Sequence, residues 1–221
     1  NVEYYRSTLM IPASVANNHF TNVYFYPIYS PSHFLIDAEI YDCDGLLLAT
    51  KKNALRISSE TPQFHTISVR DLYRECQLSE TFNGGLRLIA HSEDHSHFPA
   101  RIKLGLDIGI QGHQTPCNIC TNLQPYNPAL ETKTSSFRWV PILVDNHSAT
   151  VWIMNSSPAI YYNRSATVDM TFYRESDTAT IMRTILIRPN GFIILQIDED
   201  LELQGFFKGQ IGWMTAITSN P

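Results

Sequence analysis

The feature that most constrains what this chain can fold into is an internal repeat at an offset of about 129 residues. Leu9-Met10-Ile11-Pro12 lies beside Arg138-Trp139-Val140-Pro141, and Asn17-Asn18-His19 beside Asp145-Asn146-His147. Val23-Tyr24-Phe25-Tyr26 then matches Val151-Trp152-Ile153-Met154, and Ala38-Glu39-Ile40-Tyr41 matches Val168-Asp169-Met170-Thr171. Val69-Arg70-Asp71-Leu72 resembles Asp198-Glu199-Asp200-Leu201, and Gly84-Gly85-Leu86-Arg87-Leu88 resembles Gly209-Gln210-Ile211-Gly212-Trp213. Any one match is within chance, and antiparallel chains look periodic everywhere. Six matches in one order favour a single unit used twice.

The units read as β structure. Phe34, Ile36, Ala38 and Ile40 alternate with polar positions, as do Val168, Met170 and Phe172, so one face of each strand is buried. Turn residues interrupt at Asp44-Gly45, Thr61-Pro62, Asn83-Gly84 and Pro189-Asn190-Gly191. Helical turns are expected only at Val69–Ser79 and Asp198–Phe207, with Asp71 or Asp198 as the caps. The expected fold is all-β: two tandem antiparallel β-sandwich units of similar topology. Residues 1–112 form the first unit, 113–135 a Pro- and Cys-bearing linker or long ordered crossover, and 136–221 the second unit. The first unit continues past Gly84–His91 into an alternating strand, Arg101–Ile108, for which the second unit has no counterpart. A chain running on past residue 221, a strand supplied by another chain, and an open edge are the three explanations. The first is the preferred expectation.

Composition narrows the function classes. A net charge of −5, with no basic run longer than Lys51-Lys52, disfavours nucleic acid. No segment approaches the roughly 20 apolar residues of a membrane span, and Asn1–Ser7 does not read as a signal peptide. The compartment is open, with the cytoplasm favoured. Four cysteines are too few for a disulfide scaffold. Sequons stand at Asn146, Asn155 and Asn163, against about two expected by chance.

The strongest chemical candidate is His113-x3-Cys117-x2-Cys120, preceded by His91, His95 and His97. Thiolate and imidazole are ligands that zinc or iron takes, and a Cys-x2-Cys turn brings two sulfurs onto one ion. The histidine loop and the Cys segment flank opposite ends of one strand, roughly 25 Å apart, so one ion uses one group or the other. Free thiols, a local disulfide and a redox Cys-x2-Cys are the alternatives, the last weakened by the absence of a βαβ pattern. Cys43 and Cys76 are expected to be separate, or one local bridge. No Gly-x-Ser-x-Gly elbow or phosphate loop is present, and Asp198-Glu199-Asp200 reads as a solvated acidic turn. An enzyme is therefore not the favoured reading, and no cofactor is expected beyond that metal. Tyr4, Tyr5, Tyr24, Tyr26, Tyr29, Tyr161 and Tyr162 gather near the first strands of each unit. They read as cross-strand pairs, or as platforms for a sugar or a protein partner.

Three runs carry a family resemblance: Ala166–Arg174, Thr184–Pro189 and Ile194–Asp198. Their strand pattern is similar to the sensory rhodopsin transducer-like proteins over about 60 residues. The resemblance implies a small β-sandwich that assembles into oligomers and binds partners without catalysis. The tandem arrangement and the Cys-bearing linker depart from that family's single domain, and no functional residue carries over. The expected function is a non-catalytic binding or assembly module, with a protein partner or self-association through β-sheet edges and aromatic strand faces. A metal-binding protein, in which an enzyme is conceivable, is the alternative.

Overall fold

The computed structural model describes residues 6–28, 33–58, 60–93, 102–112, 115–143 and 149–220. The chain divides into two compact units. Unit 1 comprises Asn1–Asn127 with Ser156–Tyr162, and unit 2 comprises Pro128–Asn155 with Asn163–Pro221. All the strand pairs are antiparallel, and the only α-helices among the described residues are two of seven residues each. The protein is all-β, as the alternation of apolar and polar residues predicts.

Unit 1 runs β1 (Arg6–Ala13), β2 (His19–Phe25), β3 (Phe34–Tyr41), β4 (Leu47–Ile57), β5 (His65–Ser68) and α1 (Val69–Glu75). It continues through β6 (Gly84–Ser92), β7 (Ile102–Ile110) and β8 (Cys117–Pro125). The eight strands form one sheet in the order β4-β3-β6-β1-β8-β7-β2-β5. Strand β8 joins its halves: Cys117–Leu123 pair with β7, whereas Gln124 and Pro125 pair with Thr8 and Ser7 of β1. The inward side chains are the alternating aliphatic and aromatic positions, among them Phe25, Phe34, Ile36, Leu88, Leu104 and Leu123. Burying such side chains is the dominant stabilising term, at about 1.5–3 kcal/mol each.

Unit 2 runs β9 (Ser135–Ile142), β10 (Thr150–Met154), β11 (Ala166–Arg174), β12 (Thr180–Ile187), β13 (Phe192–Gln196), α2 (Leu201–Phe207) and β14 (Gly212–Thr218). Its four-stranded sheet has the order β12-β11-β14-β9, the counterpart of β4-β3-β6-β1. Its two-stranded sheet β10-β13 is the counterpart of β2-β5. The registers agree as well. Val23 faces Ile67 and Phe25 faces His65 in unit 1, while Val151 faces Leu195 and Ile153 faces Ile193 in unit 2. Among the described residues unit 2 has no counterpart of β7 and β8.

Four expectations change. Cys117–Pro125, placed in a linker over 113–135, is strand β8 of unit 1; its short polar side chains hid the alternation, and pairing with β7 and β1 supplies the order. The segment Ser156–Tyr162, placed in the second unit, belongs to unit 1. The helix caps are Ser68 and Asp200, not Asp71 and Asp198: Ser68 Oγ accepts from the Asp71 N–H and Asp200 Oδ1 from the Leu203 N–H. Finally, the counterpart of Gly84 is Gly212 rather than Gly209, since each begins a strand beneath a buried aromatic of the preceding helix, Tyr73 or Phe207. Gly209 instead follows α2 at φ 76°, where the helix ends through Lys208 in the left-handed region.

Candidate functional site

The Cys-x2-Cys pair is not a chelate. His113 lies outside the described residues, as do His95 and His97, while His91 sits on β6. Cys117 and Cys120 lie in an unbroken register on β8, opposite Ile108 and Gly105. Side chains three apart on a strand point to opposite faces, with their Cα atoms about 10 Å apart along it. One ion cannot take both sulfurs, and a disulfide, which needs Cα atoms within about 7 Å, cannot join them. Cys120 shares the outer face with Tyr26, whose phenol pKa is raised by the Cys120 charge, then by burial and by a hydrogen bond to the same sulfur. All four cysteines are free. Among the described residues no group of three or more His, Cys, Asp or Glu is placed to hold a metal. Reaction of the native protein with a maleimide should label exposed Cys43, Cys117 and Cys120 quickly and Cys76 slowly, because burial raises the Cys76 thiol. Mass spectrometry of the labelled chain checks this, and a Cys117–Cys120 disulfide would contradict it.

The acidic turn fastens α2. Arg183 donates to both Asp200 carboxylate oxygens, Nη1 to Oδ2 at 2.5 Å and Nη2 to Oδ1 at 2.8 Å, and also to Glu202. Asp200 meanwhile caps the helix. The Arg183 bonds, opposed by burial and helped by the cap, hold the Asp200 carboxyl down to about 2. Such a group is a permanent anion with no proton to exchange near neutrality.

Unit 1 contains a buried polar network that composition did not single out. On the outer face of β3, Asp37 accepts from Lys52 Nζ and from the Asn53 N–H, each at 2.8 Å, with His91 Nε2 at 3.5 Å. Burial raises the Asp37 pKa, but these bonds and the Lys52 and His91 charges outweigh it and hold the carboxyl below its usual range. The Tyr41 hydroxyl donates to Glu39 at 2.7 Å, and burial, with that bond, pushes its pKa up to about 12. Buried Arg87 donates to the carbonyls of Ser157 (2.8 Å) and Ala159 (3.3 Å), and Arg6 to that of Pro158 (3.2 Å). The arginines reach backbone carbonyls of the chain's own 156–162 segment, so this network clamps that segment rather than presenting groups to a substrate.

Two sequons separate by burial. The Asn155 amide donates to the carbonyls of Arg164, Ile187 and Arg188 at 2.8, 3.0 and 3.1 Å and is buried, a structural tie. Asn163 is exposed. Asn146 lies outside the described residues.

The remaining surfaces are aromatic faces and strand edges. Tyr4, Tyr5 and Tyr29 lie outside the described residues. Tyr26 meets the exposed Phe64 edge-on at 5.9 Å, and Tyr161 is 91% exposed. In unit 2, Tyr173, Trp213 and Trp139 form a stack across β11, β14 and β9, with centroids 5.3 and 5.1 Å apart, ending at exposed Trp139 on the edge strand. That ladder was invisible in the sequence because its rings are far apart along the chain. Strand β9 carries a register shift opposite Met214–Ala216, Arg138, and Pro141, all devices that discourage a further strand. Strand β10, Thr-Val-Trp-Ile-Met, has no proline and no charge, and its ladder with β13 has no bulge.

No family model and no curated protein matches the sequence. Among solved structures, a Bacteroides fragilis chain titled "putative beta-galactosidase" aligns at 12% identity over 98% of this chain and 28% of its own, with a TM-score of 0.21. A calcium-binding mutant of Bacteroides uniformis β-glucuronidase 2 aligns at 12% identity over 87% of this chain and 21% of its own, also at 0.21. The chain spans less than a third of either structure. Likeness at that level defines neither the fold nor the chemistry of this protein.

Proposed function

We propose that the chain is a non-catalytic binding or assembly module, with its contact surfaces on the strand edges and aromatic face of unit 2. One observation carries the reading: the ring stack of Tyr173, Trp213 and Trp139 ends at exposed Trp139 on the edge strand β9 of unit 2. Such a stack is a surface of the kind that anchors partners or sugars. Nothing in the clamp around Asp37 or the brace around Arg183 competes with this, since each is engaged in holding the chain together.

The test uses the whole chain. Sedimentation between about 1 and 100 μM reads self-association, while selection from a displayed peptide library and a glycan array read the other ligand classes. Self-association, or a selected ligand binding with Kd below about 100 μM, supports the module. A strict monomer that retains neither peptides nor glycans overturns it.

A further inference from the structure

We infer that the outer face of β2, β7 and β8 in unit 1 carries a glycan site, in which Tyr26 and Phe64 stack an uncharged pyranose ring. This goes beyond the unit 2 reading, since it assigns another surface and the chemical class of its ligand. The floor is built by a missing side chain. Gly105 lies between Tyr24 of β2 and Cys120 of β8 in the sheet. The Tyr26 ring reaches across it, with its hydroxyl, Cζ and Cε2 at 3.1, 3.7 and 4.0 Å from where a Cβ of residue 105 would stand. That hydroxyl shares a hydrogen bond with the Cys120 sulfur. Phe64, just before β5, stands at 68° to the Tyr26 ring with centroids 5.9 Å apart. The rings are 40% and 68% exposed, so they make an open corner rather than a closed pair.

The rim is polar. Side chains two apart on a strand share a face, so Lys103 and Asp107 flank Gly105, and Asn122 and Asn118 stand opposite them on β8. These positions lie about 7 Å along the strands from the corner, the span of a sugar ring. Asn118 Nδ2 donates to Asp107 Oδ1 at 2.5 Å, which sets amide and carboxylate side by side to take paired hydroxyls. Three ligand classes compete for exposed rings, and the surroundings choose among them. A protein partner buries roughly 800 Å² on each side, whereas rings at these exposures offer on the order of 200 Å². A nucleobase brings phosphates, which need a cationic groove, and the charges of Lys103 and Asp107 offset each other. A pyranose whose hydroxyls are all equatorial shows axial C–H groups on its faces and hydroxyls at its rim. It matches apolar rings within a polar border of no net charge.

The experiment uses the native chain and its own thiols as reporters. Maleimide labelling of Cys120, Cys117 and Cys43 is timed with and without cellotetraose, a neutral glycan of all-equatorial glucose rings. Cys120 adjoins the corner, Cys117 faces the other side of β8, and Cys43 follows β3. For a Kd of about 2 mM, about 5 mM cellotetraose should slow Cys120 roughly threefold and leave Cys117 and Cys43 unchanged. Phe64→Ala should abolish the protection and Phe64→Trp keep it; both change an exposed side chain, so the fold is kept. No slowing at about 20 mM, equal slowing of all three thiols, or protection that survives Phe64→Ala overturns the inference. So does stronger protection by a sulfated glycan, which would make the site one for anions. Failure here leaves the unit 2 surfaces untouched, because self-association and selected ligands test those separately.

Discussion

Replacing Gly212 with alanine should destabilise unit 2 by about 3 kcal/mol, lowering its unfolding transition by roughly 15 °C. A methyl group there would run into the Phe207 ring and the Tyr173 carbonyl oxygen. Neither can yield cheaply. Phe207 is fully buried between Phe172 and Phe206, at 6.4 and 5.1 Å, and the Tyr173 carbonyl is main chain of the paired strand β11. Amide exchange should show the loss across β11, β12 and β14, with β3 and β6 unchanged. The control is Gly205→Ala in α2, where the added methyl meets open space. That change should stabilise by about 0.5–1 kcal/mol, because helical glycine costs backbone entropy. A Gly212→Ala protein as stable as the parent would mean that α2 does not press on β14.

Breaking the Arg183 brace should have the next largest effect. Arg183→Met keeps the stem but leaves Asp200 and Glu202 without their cation, at a cost of about 2–3 kcal/mol. The brace also sets an acid limb. The Asp200 carboxyl lies at about 2 when folded, against an ordinary value near 3.8. A group whose folded pKa is depressed stabilises above its unfolded pKa and loses that contribution as pH falls through the folded one. Unit 2 should thus lose up to about 2 kcal/mol between pH 4 and pH 2, and Asp200→Asn should lack that slope. Denaturant unfolding followed by Trp fluorescence over that range checks both. An acid limb of equal size in Asp200→Asn would place its origin elsewhere.

Much of the architecture was legible along the chain because it is written in local alternation. Val23-Tyr24-Phe25 and Val151-Trp152-Ile153 match in sequence and hold equivalent registers, since a strand with one buried face must repeat its apolar residues every second position. Local chemistry also marked the two helical turns. It misplaced their caps, because Ser68 and Asp200 compete with nearby polar residues on equal terms until the strand before each helix sets the backbone angles. The match of Gly84 to Gly209 failed for a related reason: glycine has no side chain to carry a pattern, and the Phe207 ring decides which glycine must be bare.

What the sequence by itself determined is the class and the repetition: an all-β chain in which one order of strands occurs twice. Only the tertiary structure decided how those strands are ordered within each sheet, because pairing between strands depends on which distant segment arrives at an edge. It placed Cys117–Pro125 inside unit 1 and turned its two cysteines to opposite faces, since a strand fixes side-chain direction by parity and spacing alone does not. It also assembled Tyr173, Trp213 and Trp139 into one stack. Those features follow from which strands lie side by side, and neighbours in a sheet need not be neighbours in a chain.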